Sequence, residues 1–373
     1  KPERLSRRRA GAGLLGRPCP RALPRSAPQL PVSSVMAAQS EAEAFFADTQ
    51  TLRPKNLEAL RSRMDSFVEA ARKLRRRIVL ITSGGTTVPL ERNTVRFIDN
   101  FSSGTRGAQC TEEFLGAGYA VLLLHRKGSN FPFLTSVVRQ LNEDPLALMG
   151  HTATQDARTA DLAQSLLPIG FTTIFEYLFL LREACHSLEA AGADAVVFLA
   201  AAVSDFYVPE GEMSSQKIQS RAHDGLSLQL RNVPKLLGSI KQWAPRALVV
   251  SFKLETNPHI LLAKAAGAIA KYGVDAVCSN LLHNYRDLVT IVWAQGEASG
   301  VKIGSEEIQG EETEPVPVEG VDCRRIERGD RPTIDQPLVQ AVVEMHERRR
   351  GGGAGTAPGE QAPEPPEKRL RAA

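Results

Sequence analysis

The chain has 373 residues with 46 basic and 42 acidic side chains, and its excess of positive charge is concentrated at the two ends. The first 35 residues carry a net charge of +7 and residues 347–373 carry +2, which leaves −5 on residues 36–346. A nucleic-acid-binding fold needs a basic face on its folded part, so this distribution argues against one. The chain contains no uninterrupted run of about 18 apolar residues, which argues against a membrane span.

The two ends also differ in composition from the rest. Residues 1–35 are rich in Arg, Pro, Gly and Ser, which predicts an upstream stretch with the true start at Met36. A mitochondrial transit peptide is the alternative, although the prolines disfavour an amphipathic helix. Residues 347–373 form a Gly/Pro/Glu-rich tail that we expect to be disordered. One α/β domain is therefore predicted at residues 36–346. Five widely spaced cysteines without a Cys-x-x-Cys favour a reducing compartment, the cytosol.

Hydrophobic patterning predicts helices alternating with short buried strands. A helix over residues 56–76 precedes a fully apolar, β-branched run at 78–81, and similar runs predict strands at 120–124, 195–200, 247–252, 274–278 and 288–292. Helical spacing fits residues 108–116, 173–190, 234–243 and 258–271. This alternation predicts a doubly wound, Rossmann-like, mostly parallel sheet flanked by helices.

Two segments do not fit that alternation. Residues 127–168 are predicted to be a long insertion, and the alternating pattern at 226–230 predicts a hairpin or an arm that reaches another subunit.

Two glycine-rich segments follow predicted strands, where ligands of such folds bind. Residues 82–86 read TSGGT, and residues 102–107 read SSGTRG before a helix. Glycines let backbone amides approach phosphate oxygens, hydroxyls add donors, and a helix N-terminus favours negative charge. Together the segments predict a nucleotide phosphate site. For either segment alone, tight-turn glycines are an equal explanation.

Other nucleotide chemistries fit less well. The P-loop is excluded because the chain has no Gly-Lys dipeptide. The second strand ends in His125-Arg126-Lys127, without the carboxylate that holds the ribose of NAD, although Arg126 would suit NADP. The Tyr-x-x-x-Lys pair of short-chain reductases is absent. An NADP-dependent reductase is therefore the alternative function. The seven histidines lack metal-ligand spacing, so no metal-binding residue is predicted.

Later strand ends also carry polar residues. Residues 201–206 read AAVSDF, where small side chains leave room for a ligand and Asp205 either contacts it or caps a turn. Lys253 follows the fourth strand as either a ligand or a solvated charge, and Asn280 follows the fifth. Arg106, at a helix start, either binds phosphate or pairs with Glu112 or Glu113.

Together these segments resemble phosphopantothenate–cysteine ligase in its animal form, over about residues 40–346. The matching segments are TSGGT (82–86), VRFIDNFSSGTRG (95–107), LAAAVSDFYVP (199–209), KIQS (217–220), VPKLL (233–237), SFKLET (251–256) and SNLL (279–282). The resemblance implies coenzyme A synthesis. The family joins 4′-phosphopantothenate to cysteine through an acyl-nucleotide intermediate, with release of pyrophosphate and a nucleoside monophosphate. ATP is implied as co-substrate with Mg²⁺, CTP being used by bacterial relatives, and a homodimer is implied.

The resemblance also implies roles for individual residues. Asn100 contacts phosphopantothenate and steadies the acyl intermediate, and Lys217 holds the charge of the activated carboxylate. Ala201, Ala202 and Asp205 line the pantothenate arm, and Arg96 reaches the phosphate from the neighbouring subunit. The nucleotide-binding positions are Gly84, Ser102, Gly104, Gly107, Phe252, Lys253 and Asn280. Bacterial members continue the Lys-Ile stretch with two more lysines, where this chain has Gln219-Ser220. A non-catalytic relative would be expected to lose residues such as Asn100 and Lys217, which this chain keeps.

Overall fold

The computed structural model describes residues 32–134, 162, 164–219, 226–295 and 318–351. Most of the predicted leader, insertion and tail therefore lies outside the described residues, as does Ser220. The helices are α1 (Val32–Asp48), α2 (Leu57–Lys73), α3 (Thr105–Gly116), α4 (Ile174–Glu189), α5 (Leu237–Trp243), α6 (Leu261–Tyr272) and α7 (Asp335–Gly351). The strands are β1 (Ile78–Ser83), β2 (Thr87–Pro89), β3 (Phe97–Asp99), β4 (Ala120–Arg126), β5 (Leu166–Phe171), β6 (Ala195–Leu199), β7 (Phe206–Tyr207), β8 (Arg231–Asn232), β9 (Leu248–Glu255), β10 (Ala276–Leu281), β11 (Leu288–Ala294) and β12 (Val321–Glu327).

An eight-stranded sheet in the order β12-β11-β10-β9-β6-β1-β4-β5 forms the centre of the protein. The strands from β10 to β5 pair in parallel, whereas β11 runs antiparallel to both β10 and β12. Separate two-stranded ribbons join β2 to β3 and β7 to β8. The predicted mostly parallel, doubly wound sheet is thus confirmed.

Burial on both faces explains why the central strands have continuous apolar sequences. In β1, Ile78 and Leu80 face the core formed with α2 and α4, while Val79 and Ile81 face the core formed with α3 and α7. All six residues of β1 are buried. A strand covered by helices on both faces has no solvent-facing positions for polar residues.

Some elements differ from the prediction. Strand β5 lies at the edge of the sheet and overlaps the end of the predicted insertion, and its sequence includes Pro168 and Gly170, which are tolerated in edge strands. Strand β12 and helix α7 were not predicted. Residues 226–230 form no strand and are exposed, whereas the adjoining β8 pairs with β7.

Both predicted boundaries of the folded part need correction. Helix α1 begins at Val32, directly after Pro31. It can continue to Asp48 because residues 32–48 contain no proline. Helix α7 continues through residues 347–351, which were assigned to a disordered tail. Its charged end pairs with the body: Glu347 with Arg77 at 2.7 Å, Arg349 with Asp275, and Arg350 with Asp194 at 2.6 Å.

Two expectations from composition can be compared with the described part of the chain. Cys110, Cys185 and Cys278 are buried and free, as expected of small hydrophobic residues, whereas Cys323 is free and exposed. Among the described helices, none is long and apolar enough to cross a membrane.

Close packing of α3 on β1 gives a first prediction. An added Cβ at Gly107 would lie 2.4 Å from the Cβ of Ser83, so the helix would have to shift. We expect Gly107→Ala to lower the free energy of unfolding by about 1–3 kcal/mol. Gly116→Ala, in the last turn of the same helix, has no atom within 4 Å of the added carbon and is the control. Urea denaturation measures both; equal stability of the two variants would contradict the prediction.

Candidate active site

A cleft of about 2730 Å³ lies at the carboxyl ends of the parallel strands. The cleft also extends along α4, α5 and α6, so its volume includes more than the space at the strand ends. Seven of the predicted site residues line it: Ser102, Ala201, Ala202, Asp205, Phe252, Lys253 and Asn280. The other predicted residues, Gly84, Arg96, Asn100, Gly104, Gly107 and Lys217, are outside its lining.

Backbone hydrogen bonds join the turn after β1 to the turn after β6. The amide of Ala202 donates to the carbonyl of Gly84 at 2.8 Å, and the amide of Thr86 donates back to the carbonyl of Ala202 at 3.0 Å. The amide of Asn100 then donates to the carbonyl of Thr86 at 3.1 Å. These bonds bring Asn100, which precedes the lining residue Phe101, to the same edge of the sheet as Ala202.

Glycines are required in the turn after β1 for steric reasons. Gly84 has a φ of +86°, and its added Cβ would lie 2.7 Å from the Cβ of Arg126. At Gly85 the added carbon would lie 1.6 Å from the carbonyl oxygen of Asn100. Close approach of the backbone therefore accounts for both glycines, as the tight-turn interpretation expected.

The N-terminus of α3 opens onto the cleft through Ser102, Ser103 and Thr105. Its N-cap residue, Gly104, is left-handed with a φ of +78° and provides no side chain to cap the helix. The hydroxyl of Thr105 lies 2.9 Å from that of Ser103 and accepts a 2.7 Å hydrogen bond from Asn130. Amides in the first turn of a helix have no partners within the helix, and they attract anions. The arrangement can accept a phosphate.

Arg106 in α3 is held by residues from the C-terminal part of the chain. Its guanidinium pairs with Asp335 at 3.0 Å, donates to the carbonyl of Tyr285, and lies 5.8 Å from the ring centroid of Phe252. The predicted pairing with Glu112 or Glu113 is wrong, because Asp335 provides the partner. Burial raises the pKa of Asp335, and the charge of Arg106 opposes that rise. Arg106 and Asp335 both line the cleft.

Strands β9 and β10 end beside each other, with Phe252 opposite Cys278. Lys253 lies 3.4 Å from Glu255, which also pairs with Lys264 at 2.9 Å. Lys264, in the first half of α6, also lines the cleft. It was not predicted as a site residue because the sequence around it indicates only an amphipathic helix. Asn280 is buried, and its amide nitrogen donates to the carbonyl of Leu288 at 3.1 Å, which supports the following turn.

Asp205 forms an ion pair with Lys235, and both residues line the cleft. The adjacent turn is supported by Ser204, whose hydroxyl donates to the carbonyl of Phe206 at 2.8 Å. The Asp205 carboxylate therefore points to a cation rather than capping this turn. Lys235 belongs to the resembling segment 233–237 but was not singled out.

Arg96 and Ile218, the residue after Lys217, both donate to a buried carboxylate that was not predicted from the sequence. Glu91 is 0% exposed and pairs with the half-exposed Arg96 at 2.8 Å. The amide of Ile218, next to the exposed Lys217, donates to the same carboxylate at 3.2 Å. A single Glu that is followed by Arg92, Asn93 and Thr94 gives no sequence signal of burial.

The environment of Glu91 strongly favours its charged form. Burial alone would raise the pKa of this carboxyl, but hydrogen bonds from the backbone of Arg96, Ile218 and Val95 and from the Arg96 side chain outweigh burial. Together they lower the pKa from 4.5 to about 2. The carboxylate therefore stays charged across the physiological pH range.

The described residues contain no group of three or more His, Cys, Asp or Glu side chains that could hold a metal ion. The carboxylates Asp205, Glu255 and Asp335, which lie in or beside the cleft, each have a Lys or Arg partner. Asp205, Glu255 and Asp335 therefore do not form a Mg²⁺ site within the part of the chain that the structure describes.

The sheet order and the cleft at the strand ends define a Rossmann-like α/β protein. A family model described as DNA/pantothenate metabolism flavoprotein C-terminal domain matches residues 74–143 and 181–306. Phosphopantothenate–cysteine ligase 2 of Oryza sativa is 46% identical over 288 residues, 72% of this chain and 80% of that protein. The Homo sapiens ligase is 42% identical over 270 residues, 67% of this chain and 86% of that protein. The chain belongs to the phosphopantothenate–cysteine ligase family.

A solved structure agrees with this membership. A Cab2 variant in complex with phosphopantothenate-cysteine has a TM-score of 0.66 and 33% identity, and the match covers 81% of this chain and 96% of that one. The resemblance stated from the sequence is confirmed. The alternative of an NADP-dependent reductase receives no support from these relatives.

The contact at Gly85 gives a second prediction. We expect Gly85→Ala to displace the backbone of Asn100, because the added carbon would overlap the Asn100 carbonyl oxygen. Ligation activity should fall by about 10²-fold, as expected for a displacement of about 1 Å at a reacting centre. Gly211→Ala, where nothing lies within 4 Å, is the control. Steady-state assays of both variants measure the effect, and wild-type activity in Gly85→Ala would refute it.

The Glu91 carboxylate gives a third prediction, about pH. Because its pKa falls from 4.5 to about 2 on folding, its charge stabilises the fold above pH 4.5, and this contribution is lost as the pH falls towards 2. The difference in unfolding free energy between wild type and Glu91→Gln should therefore be constant above pH 5 and shrink below it. Urea denaturation from pH 7 to pH 2.5 tests this, with Glu212→Gln at an exposed carboxylate as control. A difference that does not change with pH would contradict it.

Proposed function

We propose that this protein joins 4′-phosphopantothenate to L-cysteine in two steps. The substrate carboxylate first attacks the α-phosphorus of ATP, forming an acyl-adenylate and expelling pyrophosphate. The amine of cysteine then attacks the activated carbonyl, forming the amide and releasing AMP. The single observation that carries the proposal is a cleft at the carboxyl ends of the strands that is lined by seven of the thirteen residues matching the family's site.

The nucleotide would bind at the α3 end of the cleft. The first-turn amides and the hydroxyls of Ser102, Ser103 and Thr105 offer donors to phosphate oxygens. Arg106, held by Asp335, and Lys253 add positive charge on either side of Phe252. Such preorganised donors stabilise the charge that develops as pyrophosphate leaves. Gly84, Gly104 and Gly107 would act through backbone shape, and Asn280 through the turn that it supports.

The acyl substrate would bind between the turns after β1 and β6. Ala201 and Ala202 would leave space for the pantothenate arm. We assign the side-chain amide of Asn100, whose backbone is held by Thr86 at this edge of the sheet, as the donor to the carboxylate and then to the acyl intermediate. Asp205 and Lys235 add polar contacts at the cleft wall. Since the amine attacks a carbonyl that is already activated, the reaction needs no Ser or Cys nucleophile.

Three further features belong to this proposal. Mg²⁺ would arrive with the nucleotide as part of the substrate, because the described carboxylates do not form a metal site. The protein would act as a homodimer, in which Arg96 reaches the phosphate bound by the neighbouring subunit and Lys217 supports the activated carboxylate. We place it in the cytosol, in line with three buried free cysteines.

A fourth prediction concerns the two residues assigned to catalysis. Asn100→Ala and Lys217→Ala should fold but lose about 10²–10³-fold in kcat, the usual cost of deleting one preorganised donor. Lys73→Ala, at the exposed end of α2, is the control for loss of a lysine. Steady-state ligation assays on the three purified variants measure the effect. Wild-type turnover in either catalytic variant would remove that residue from the mechanism.

The reaction itself is tested with the full chain, phosphopantothenate, cysteine, Mg²⁺ and either ATP or CTP. Mass detection should show phosphopantothenoylcysteine, with pyrophosphate released in equal amount and ATP preferred. Omission of cysteine should leave the acyl-nucleotide on the enzyme. Binding of NADPH in a fluorescence titration, without nucleotide-dependent pyrophosphate release, would instead favour the reductase.

A further inference from the structure

The Glu91 carboxylate accepts four hydrogen bonds from two distant segments. One oxygen, Oε2, accepts from the amides of Val95 at 3.0 Å and Arg96 at 2.8 Å. The other, Oε1, accepts from the Arg96 guanidinium at 2.8 Å and from the amide of Ile218 at 3.2 Å. The first three donors lie in the turn between β2 and β3, whereas Ile218 is 127 residues away in sequence.

The segment around Ile218, residues 214–219, lies along the same turn. The amide of Arg92 donates to the carbonyl of Ser214 at 2.9 Å, and the side-chain amide of Asn93 donates to the carbonyl of Ser215 at 3.0 Å. Most side chains of this segment are exposed, and Ile218 is half-buried. Exposed polar contacts contribute little to stability, so the buried carboxylate is well placed to fix the segment.

The Glu91 carboxylate anchors residues 214–219, and its charge and burial make glutamate specific at this position. A carboxylate removed from water is stable only when its oxygens are fully hydrogen-bonded, and here both are. Glutamine could accept at one oxygen only, and its amide group would face two of the four donors. The arrangement thus requires a charged carboxylate at this position.

We propose that Glu91 is a positioning residue for ligation, which holds Arg96 and the segment that carries Lys217 in one arrangement. Phosphate binding through Arg96 and support of the activated carboxylate through Lys217 then depend on the same buried group. Glu91 itself touches no substrate. The inference rests on the proposed roles of Arg96 and Lys217 in the ligase reaction.

The kinetic test compares Glu91→Gln with Glu212→Gln in the full chain. Glu212 is exposed and pairs with Arg231 near the same segment, so its substitution removes the same charge without touching the anchor. Glu91→Gln should raise KM for phosphopantothenate and lower kcat by about 10²-fold, while KM for ATP stays at the wild-type value. The control should match wild type in all three. A purely structural defect would lower the active fraction, and so kcat alone, without moving KM.

Hydrogen exchange gives a readout that is independent of activity. At least one of the amides of Ile218, Val95 and Arg96 should exchange faster in Glu91→Gln than in wild type or Glu212→Gln, because only one side-chain oxygen remains to accept from the four donors. Faster exchange together with the KM and kcat changes supports the proposal. Unchanged exchange, or faster exchange with wild-type kinetics, overturns it.

Two further outcomes are distinguishable. If Glu91→Gln does not fold, Glu91→Asp keeps the charge but shortens the side chain by one methylene, and should raise KM for phosphopantothenate and lower kcat while KM for ATP stays at the wild-type value; wild-type KM for phosphopantothenate in that variant overturns the proposal. If the wild-type protein forms no product with any nucleotide, the proposed function fails, and the positioning role fails with it. That result is seen before any substitution is made.

Discussion

The backbone pairing of the turns after β1 and β6 is the constraint on which the rest of the cleft depends. These strands are parallel neighbours, so their carboxyl ends must face the same side of the sheet. Reciprocal hydrogen bonds between Gly84, Thr86 and Ala202 then fix the two turns relative to each other, and Thr86 also binds the backbone of Asn100. The absence of a side chain at Gly85 permits the last contact. Displacing the turn after β1 would therefore also move the turn after β6, and these two turns form the walls of the proposed acyl site.

The sheet and the position of the cleft could be predicted because they depend on local patterns. Apolar runs such as residues 78–81 and 195–200 have few alternatives to a strand covered on both faces, and parallel strands place their carboxyl ends at one edge. Ala202, Asp205 and Phe252 follow from that placement alone. Asn100 and Lys217 do not: neither lies at the end of a central strand, and only the resemblance to a family assigned them roles.

The features that escaped prediction are contacts between segments far apart in sequence. Arg106 and Asp335 are 229 residues apart, and the choice of Asp335 over the nearby Glu112 depends on where α7 packs. Glu91 is buried although it is charged and is followed by polar residues, so hydrophobic periodicity does not predict its burial. Arg349 and Arg350 at the end of α7 were assigned to a disordered tail, yet both pair with carboxylates of the body. Composition records charge but not its partner.

These pairings change the meaning of the charge distribution. The net charge of −5 on residues 36–346 would by itself disfavour the binding of two anionic substrates. Around the cleft, however, cations are held in place by carboxylates: Arg106 by Asp335, Lys253 by Glu255 and Lys235 by Asp205. The exposed pair of Lys235 and Asp205 contributes little and can yield its cation to a substrate. Loss of Asp335, the buried partner of Arg106, would strongly destabilise the fold, because an unpaired charge would remain inside the protein. The exposed Lys235 can therefore move towards a substrate, whereas the buried pair of Arg106 and Asp335 keeps a fixed position in the proposed site.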